Sequence, residues 1–191
     1  MMGYDPTGTW DWSLCGKVVF TVAVVALCMT GVGAVAAVGA TAIGVSVSAA
    51  VTTAVVTAGI STTFSAIDGA ICAQQSGGNW YDGAMAGAVG GAAGAFISSL
   101  TSPNMGADSS LRMNVLGRMT SSLVYDVVYD SFSSQPDMST GGYIFDVTMD
   151  ATLSTIVYYY TGGMSNGFLS SALNGFFDGV TDVFQTEAYF S

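Results

Sequence analysis

Three pairs of aspartates, each four residues apart, are the side chains best suited to chemistry in this chain. On a helix, residues four apart share a face, where like charges repel by about 0.2–0.5 kcal/mol. Three such pairs would suit a Ca²⁺ or Mg²⁺ site between helices, because both ions prefer oxygen ligands. A simpler interpretation is three solvated helix faces that keep an apolar chain soluble. The pairs are Asp126 with Asp130, Asp146 with Asp150, and Asp178 with Asp182.

Acid–base chemistry has few other residues to draw on. The chain contains no His, and its basic side chains are Lys17, Arg112 and Arg118. Paired carboxylates act as acid and base in glycosidases, and the tyrosines at 158–160 could stack on a sugar. A tyrosine run is, however, more typical of a core or an interface. The sequence therefore favours a chain without catalysis, and we expect no metal and no cofactor.

The charge balance excludes several partners. The net charge is -10, from 13 acidic against three basic residues. Nucleic-acid binding requires clustered Lys or Arg to neutralise phosphates, so we expect no nucleic-acid partner. Electrostatic attachment to anionic lipid is disfavoured for the same reason. Charged residues make up only 8% of the chain, while 25 residues are Gly, a composition that suits closely packed helices.

The chain contains an uncharged run of 50 residues, from Val18 to Ile67. Such a run either crosses lipid or is buried in protein, because backbone and side chains gain little from water. Its length allows two helices of about 20 residues, the length that spans a bilayer. We predict helices over 17–38 and 45–64, joined by a turn within 39–48. No basic segment precedes the run, so the sequence predicts no secretory signal peptide.

A glycine-rich helix is predicted after the polar break at 74–82. Gly83, Gly87 and Gly91 recur every four residues and therefore lie on one helical face. Small residues at this spacing let a second backbone approach closely. We expect the three glycines to form a helix-packing surface, either within the chain or between copies in a homo-oligomer.

The last 81 residues differ in composition from the rest of the chain, since they hold most of its acidic residues, tyrosines and phenylalanines. We predict helices over 111–132, 143–161 and 166–188, although the second could be a pair of strands because it is rich in Thr, Val, Ile and Tyr. The predicted fold class is mainly α, with an apolar helical hairpin, a glycine-rich helix and a small C-terminal helical bundle. The predicted divisions are 1–16, 17–100, a linker at 101–110, and 111–191.

Two motifs carry a resemblance to a known family. The sequence YDPTGTW at 4–10 resembles the end of the RHS/YD-repeat core of large bacterial proteins. The apolar segment that follows, and then GNWYDGA at 78–84, resemble what succeeds that core in many Gram-positive members. The resemblance covers about residues 4–100. It implies that 1–16 end an RHS core, that 17–100 assist delivery, and that 111–191 occupy the position of a terminal toxin domain.

The resemblance and the residues together define our functional expectation. We expect a non-enzymatic, membrane-active or translocation-assisting tail of an RHS-type bacterial effector, located in a membrane, or at the cell surface or secreted as part of a larger RHS protein. Its partners would be membrane lipid or the RHS shell, and an immunity protein would accompany a toxin. The alternatives are a metal-dependent enzymatic toxin domain in the C-terminal region and a structural plug packed inside an RHS shell.

Overall fold

The computed structural model describes residues 12–44, 46–100 and 107–133, and single helical positions at 144, 148, 151–152 and 155–156. Its elements are four helices, and the described residues contain no strand. The prediction of a mainly α fold is confirmed. The helices are α1 (Trp12–Ile43), α2 (Val47–Gln75), α3 (Trp80–Ser99) and α4 (Ala107–Phe132).

Helices α1 and α2 form a hairpin across the uncharged run. Gly44 lies in the left-handed region with a φ of 73°, which lets the chain reverse between them. Ser46 has extended backbone before α2, and its carbonyl accepts the first bond of that helix from Ala50 N at 3.0 Å. Both helices are longer than the sequence predicted. Helix α1 begins at Trp12, inside the division predicted to end at 16, and continues to Ile43, while a largely apolar stretch continues α2 to Gln75.

A Schellman motif ends α2. Gly77 has a φ of 80° and donates its N–H to Gln74 O at 3.2 Å, while Gly78 donates to Ala73 O at 2.8 Å. Asn79 follows in an extended conformation as the N-cap residue of α3. The double glycine therefore stops one helix where the next begins. Asp82 lies in the first turn of α3.

Helix α3 is the central element and contacts α1, α2 and α4. Short connections make consecutive helices antiparallel, so the bundle alternates up and down. Ten of the twenty residues of α3 are buried. The apolar core is correspondingly small-chained, since burial of Gly and Ala brings backbones close together. Its members are Val32, Ala40, Ala58, Ala73, Met85, Ala86, Val89 and Ala92.

The C-terminal half agrees with the predictions only where the structure describes it. Helix α4 begins at Ala107, about one turn inside the stretch predicted to be a linker. Residues 144, 148, 151–152 and 155–156 are helical, so a pair of strands is wrong at these positions. The predictions for 1–11 and for the helix at 166–188 lie outside the described residues.

Candidate functional site: a charged end on an apolar bundle

The antiparallel order brings four helix termini together at one end of the bundle. These are the start of α1, the end of α2, the start of α3 and the end of α4. The residues that lie near these termini and carry charge define what we call the charged end. Its members are Lys17, Asp68, Asp82, Asp126 and Asp130.

Lys17 is the centre of the charged end. Its Nζ donates to Oδ1 of Asp82 at 2.6 Å and to the carbonyl oxygen of Phe132 at 2.6 Å. The Asp82 side chain is 2% exposed, whereas that of Lys17 is 19% exposed. One ammonium group therefore joins α1 to both α3 and α4, and it neutralises a carboxylate that is shielded from water.

Helix dipoles favour this arrangement. Asp82 lies in the first turn of α3, where the exposed N–H groups attract an anion. Phe132 is the last residue of α4, and its carbonyl has no partner within its own helix, so a cation beside it is favourable. The Lys17 Nζ also lies 5.8 Å from the ring centroid of Tyr81 and 5.5 Å from that of Phe132. The charged contact is thus enclosed by aromatic rings.

Further charged side chains are buried along the bundle. Arg118, Ser122 and Asp126 follow one another at intervals of four on α4, and all three are buried. Asp68 on α2 is buried as well. None of the four is left without an interaction partner. Charges are expensive to bury and are tolerated when they are paired or hydrogen-bonded, and each of these side chains has such an interaction.

Two tyrosines of α4 cover the end of α2. The rings of Tyr125 and Tyr129 stack with centroids 5.7 Å apart and planes 6° from parallel. A side chain added at Gly69 would come within 2.8 Å of the Tyr125 ring, and one added at Gly78 would collide with Oη of Tyr129. These glycines therefore give the rings room to lie against the α2 backbone.

The predicted glycine face lies against α2. A Cβ at Gly83 would collide with the carbonyl oxygen of Gly69, and one at Gly87 would collide with that of Ser65. A Cβ at Gly91 would lie 2.7 Å from the Ser65 side chain. The structure thus places all three predicted glycines at one close contact between backbones.

A second set of glycines, which the sequence reasoning missed, lies against α4. A Cβ at Gly90 would lie 2.5 Å from Ser121 O, and one at Gly94 would lie 2.7 Å from Gly117 O. The spacing of four between Gly90 and Gly94 was the available signal. It was hidden by the overlapping series that begins at Gly83. Together the two sets let α2 and α4 approach α3 closely.

Of the three predicted aspartate pairs, the structure describes the pair Asp126 and Asp130. Asp126 is 2% exposed and Asp130 is half-buried, so the interpretation of the pair as a solvated helix face is wrong for Asp126. The remaining four aspartates lie outside the described residues, as do the tyrosines at 158–160. Within the described ranges no group of three or more His, Cys, Asp or Glu side chains is placed to hold a metal ion.

Large apolar side chains cover the outside of the bundle. On α1, Leu27 is 73% exposed and Val38 is 70% exposed. The same pattern continues on α2 and α4, where Val56, Phe64, Leu123 and Val127 are exposed. Both α1, over Ser13–Ala42, and α2 are long and apolar enough to cross a membrane, and in each of them only 11% of an 18-residue apolar stretch is buried in the protein. Large apolar side chains are therefore exposed on these helices, while carboxylates such as those of Asp82 and Asp126 are buried.

Comparison with known proteins adds no relative. No protein-family model, curated protein or solved structure matches this chain.

Proposed function

We propose that this chain is a non-enzymatic, membrane-inserting helical bundle that serves as the translocation-assisting tail of an RHS-type bacterial effector. The observation that carries the proposal is the distribution of side chains, in which large apolar residues are exposed while several carboxylates are buried. Leu27 and Val38 face outward, whereas Asp82 and Asp126 face inward. In a bilayer this distribution is favourable, because lipid solvates the apolar surface and the buried charges find partners inside.

The lengths of the hairpin helices support the same proposal. At 1.5 Å per residue, the 32 residues of α1 measure about 48 Å and the 29 of α2 about 43 Å. A bilayer has a hydrocarbon core of about 30 Å. A soluble core helix of this composition would be largely buried by its neighbours, yet only 11% of an 18-residue apolar stretch in each helix is buried. Glycine contacts between α2 and α3 supply the close packing that holds helices together in lipid.

The two alternatives from the sequence are weaker on these observations. A plug inside an RHS shell would also cover apolar side chains, but a protein shell sets no requirement for an uncharged run as long as two bilayer spans. A metal-dependent toxin needs converging ligands, and Asp126 is already committed to the interior of the bundle. The role in delivery rests on the motifs at 4–10 and 78–84, which resemble RHS proteins.

Alkaline carbonate extraction of membranes from expressing bacteria tests the proposal. We expect the chain to stay in the membrane pellet. The variant Leu27→Arg should shift it towards the soluble or aggregated fraction, because an arginine near the centre of a span costs about 2.5–3.5 kcal/mol of insertion free energy. Gln74→Arg is the matched control, since Gln74 is exposed near the end of α2 and lies beyond the uncharged run.

The proposal fails if the parent chain is recovered as a folded, soluble monomer. It also fails if Leu27→Arg and Gln74→Arg leave equal amounts of chain in the pellet, because retention would then not depend on an apolar α1 surface. Retention only when an RHS shell is co-expressed, with no lipid association, would establish the plug instead.

A further inference from the structure

The two ends of the α1–α2 hairpin differ completely in charge. Lys17 precedes the uncharged run and Asp68 follows it. Because α1 and α2 are antiparallel, both charges lie at the same end of the hairpin, together with Asp82. The opposite end is the turn at 44–46, and it carries no charged residue.

We infer that the hairpin inserts into the bilayer with the turn at 44–46 leading, and that the charged end stays on the side from which the protein approaches. This inference rests on the proposed membrane function and adds an orientation to it. The partner is the bilayer itself, contacted by the exposed apolar side chains of α1 and α2.

Helix lengths match this orientation. From Lys17 to Ile43 α1 measures about 40 Å, and from Val47 to Asp68 α2 measures about 32 Å. Both distances exceed the hydrocarbon thickness of about 30 Å. The turn therefore reaches the far surface while Lys17 and Asp68 remain at or above the near one.

The free-energy cost of moving charged residues through the bilayer also favours insertion with the turn leading. Insertion with the turn leading carries no charge of the hairpin through the hydrocarbon. The reverse orientation would move Lys17 and Asp68 of the hairpin across. Charged side chains are expensive to place in hydrocarbon, so the orientation with the turn leading is favoured.

The end of α3 and the start of α4 lie at the same end of the bundle as the turn. Helix α4 carries Asp108 and Arg112 in its first two turns, and the Arg112 side chain is exposed. Of the two connections at this end, the turn at 44–46 is thus the one without nearby charge.

Labelling of single cysteines tests the orientation. In a full-length chain with Cys15→Ala, Cys28→Ala and Cys72→Ala, the variants Gly16→Cys and Gln75→Cys report on the charged end, and Ser46→Cys reports on the turn. All three positions are exposed in the bundle, so they form a matched set. Each variant is diluted from mild detergent into preformed phosphatidylcholine vesicles and treated with a membrane-impermeant maleimide, before and after the vesicles are dissolved.

We expect Gly16→Cys and Gln75→Cys to react in intact vesicles, and Ser46→Cys to react only after the vesicles are dissolved. In vesicles loaded with the maleimide, with glutathione outside, the pattern should reverse. Reaction of Ser46→Cys from outside at the rate of Gln75→Cys would overturn the orientation. So would protection of Gln75→Cys, or failure of Ser46→Cys to react with reagent inside the vesicles.

Carbonate extraction of the same vesicles separates the two failures. A chain that resists extraction but exposes the turn outside inserts in another orientation, so only this inference fails. A chain that is washed from the vesicles does not insert, so the proposed function fails together with the orientation.

Discussion

Lys17 and Asp82 lie 65 residues apart in sequence, yet their Nζ and Oδ1 atoms are 2.6 Å apart. The same Nζ reaches the carbonyl oxygen of Phe132, which is 115 residues away. Lys17 is the only lysine of the chain. A single side chain thus ties the first helix of the bundle to the start of the third and the end of the fourth.

Replacing Lys17 by Met should destabilise the bundle by roughly 3 kcal/mol, because the buried Asp82 carboxyl would lose its ion-pair partner. Equilibrium unfolding of the purified chain in mild detergent, followed by circular dichroism, measures the change. Arg112→Met is the control, since Arg112 is exposed and its loss should change the unfolding free energy by less than about 0.5 kcal/mol. Equal effects of the two substitutions would show that the contact between Lys17 and Asp82 contributes nothing specific.

Gly87→Ala and Gly59→Ala should change stability in opposite directions. A Cβ at Gly87 would collide with the Ser65 carbonyl, so we expect a loss of about 1–3 kcal/mol from overpacking. Gly59 lies within α2 with nothing within 4 Å of the added Cβ, so alanine should stabilise that helix by up to about 1 kcal/mol. Thermal unfolding in detergent compares the two variants. If both stabilise, the α2–α3 contact is not close.

A larger residue at Gly87 extends the same prediction. Gly87→Leu should separate α2 from α3, and it should lower the unfolding temperature clearly or change the oligomeric state, because lost contacts invite a second copy. Unfolding and sedimentation in detergent read out these two effects. Parent-like behaviour in both measurements would place Gly87 outside any packing interface.

The contacts of α3 with α2 and with α4 should be energetically independent. Gly94→Ala would place a Cβ 2.7 Å from Gly117 O, whereas Gly87→Ala acts on Ser65. The two glycines are about 10 Å apart along the helix, and they share no partner. Their effects on the unfolding free energy should therefore add to within about 0.5 kcal/mol in the double variant. A clear departure from additivity would show that α2 and α4 move together.

Calcium titration should show no saturable binding. Within the part of the chain that the structure describes, no group of three or more acidic side chains is placed to hold a metal ion, and Asp126 is buried in the bundle. Isothermal calorimetry of the full chain in detergent makes the measurement. Micromolar binding that is lost in both Asp126→Asn and Asp146→Asn would contradict the prediction and would favour the metal-dependent toxin.

Local sequence patterns were enough to predict that the helices of the bundle form. An uncharged run with two span lengths predicts a helical hairpin wherever it is placed, because only a helix satisfies its own backbone away from water. The spacing of Gly83, Gly87 and Gly91 marks a face, whereas the end of the second helix was predicted at 64 and lies at Gln75. These signals act within a few residues, so they can be read along the chain.

The tertiary structure decided which of these features meet. Nothing in the sequence pairs Lys17 with Asp82, because contacts over 65 residues depend on the order and direction of the helices. The sequence allowed Asp126 and Asp130 to be interpreted as a solvated helix face, yet packing buries Asp126. Gly90 and Gly94 became distinct from the neighbouring series only when α4 lay against them. By itself the sequence determined that helices form, that two of them are apolar, and that glycines on a third allow a neighbouring helix to pack closely. The packing of α3 against its three neighbours decided where the charged side chains lie.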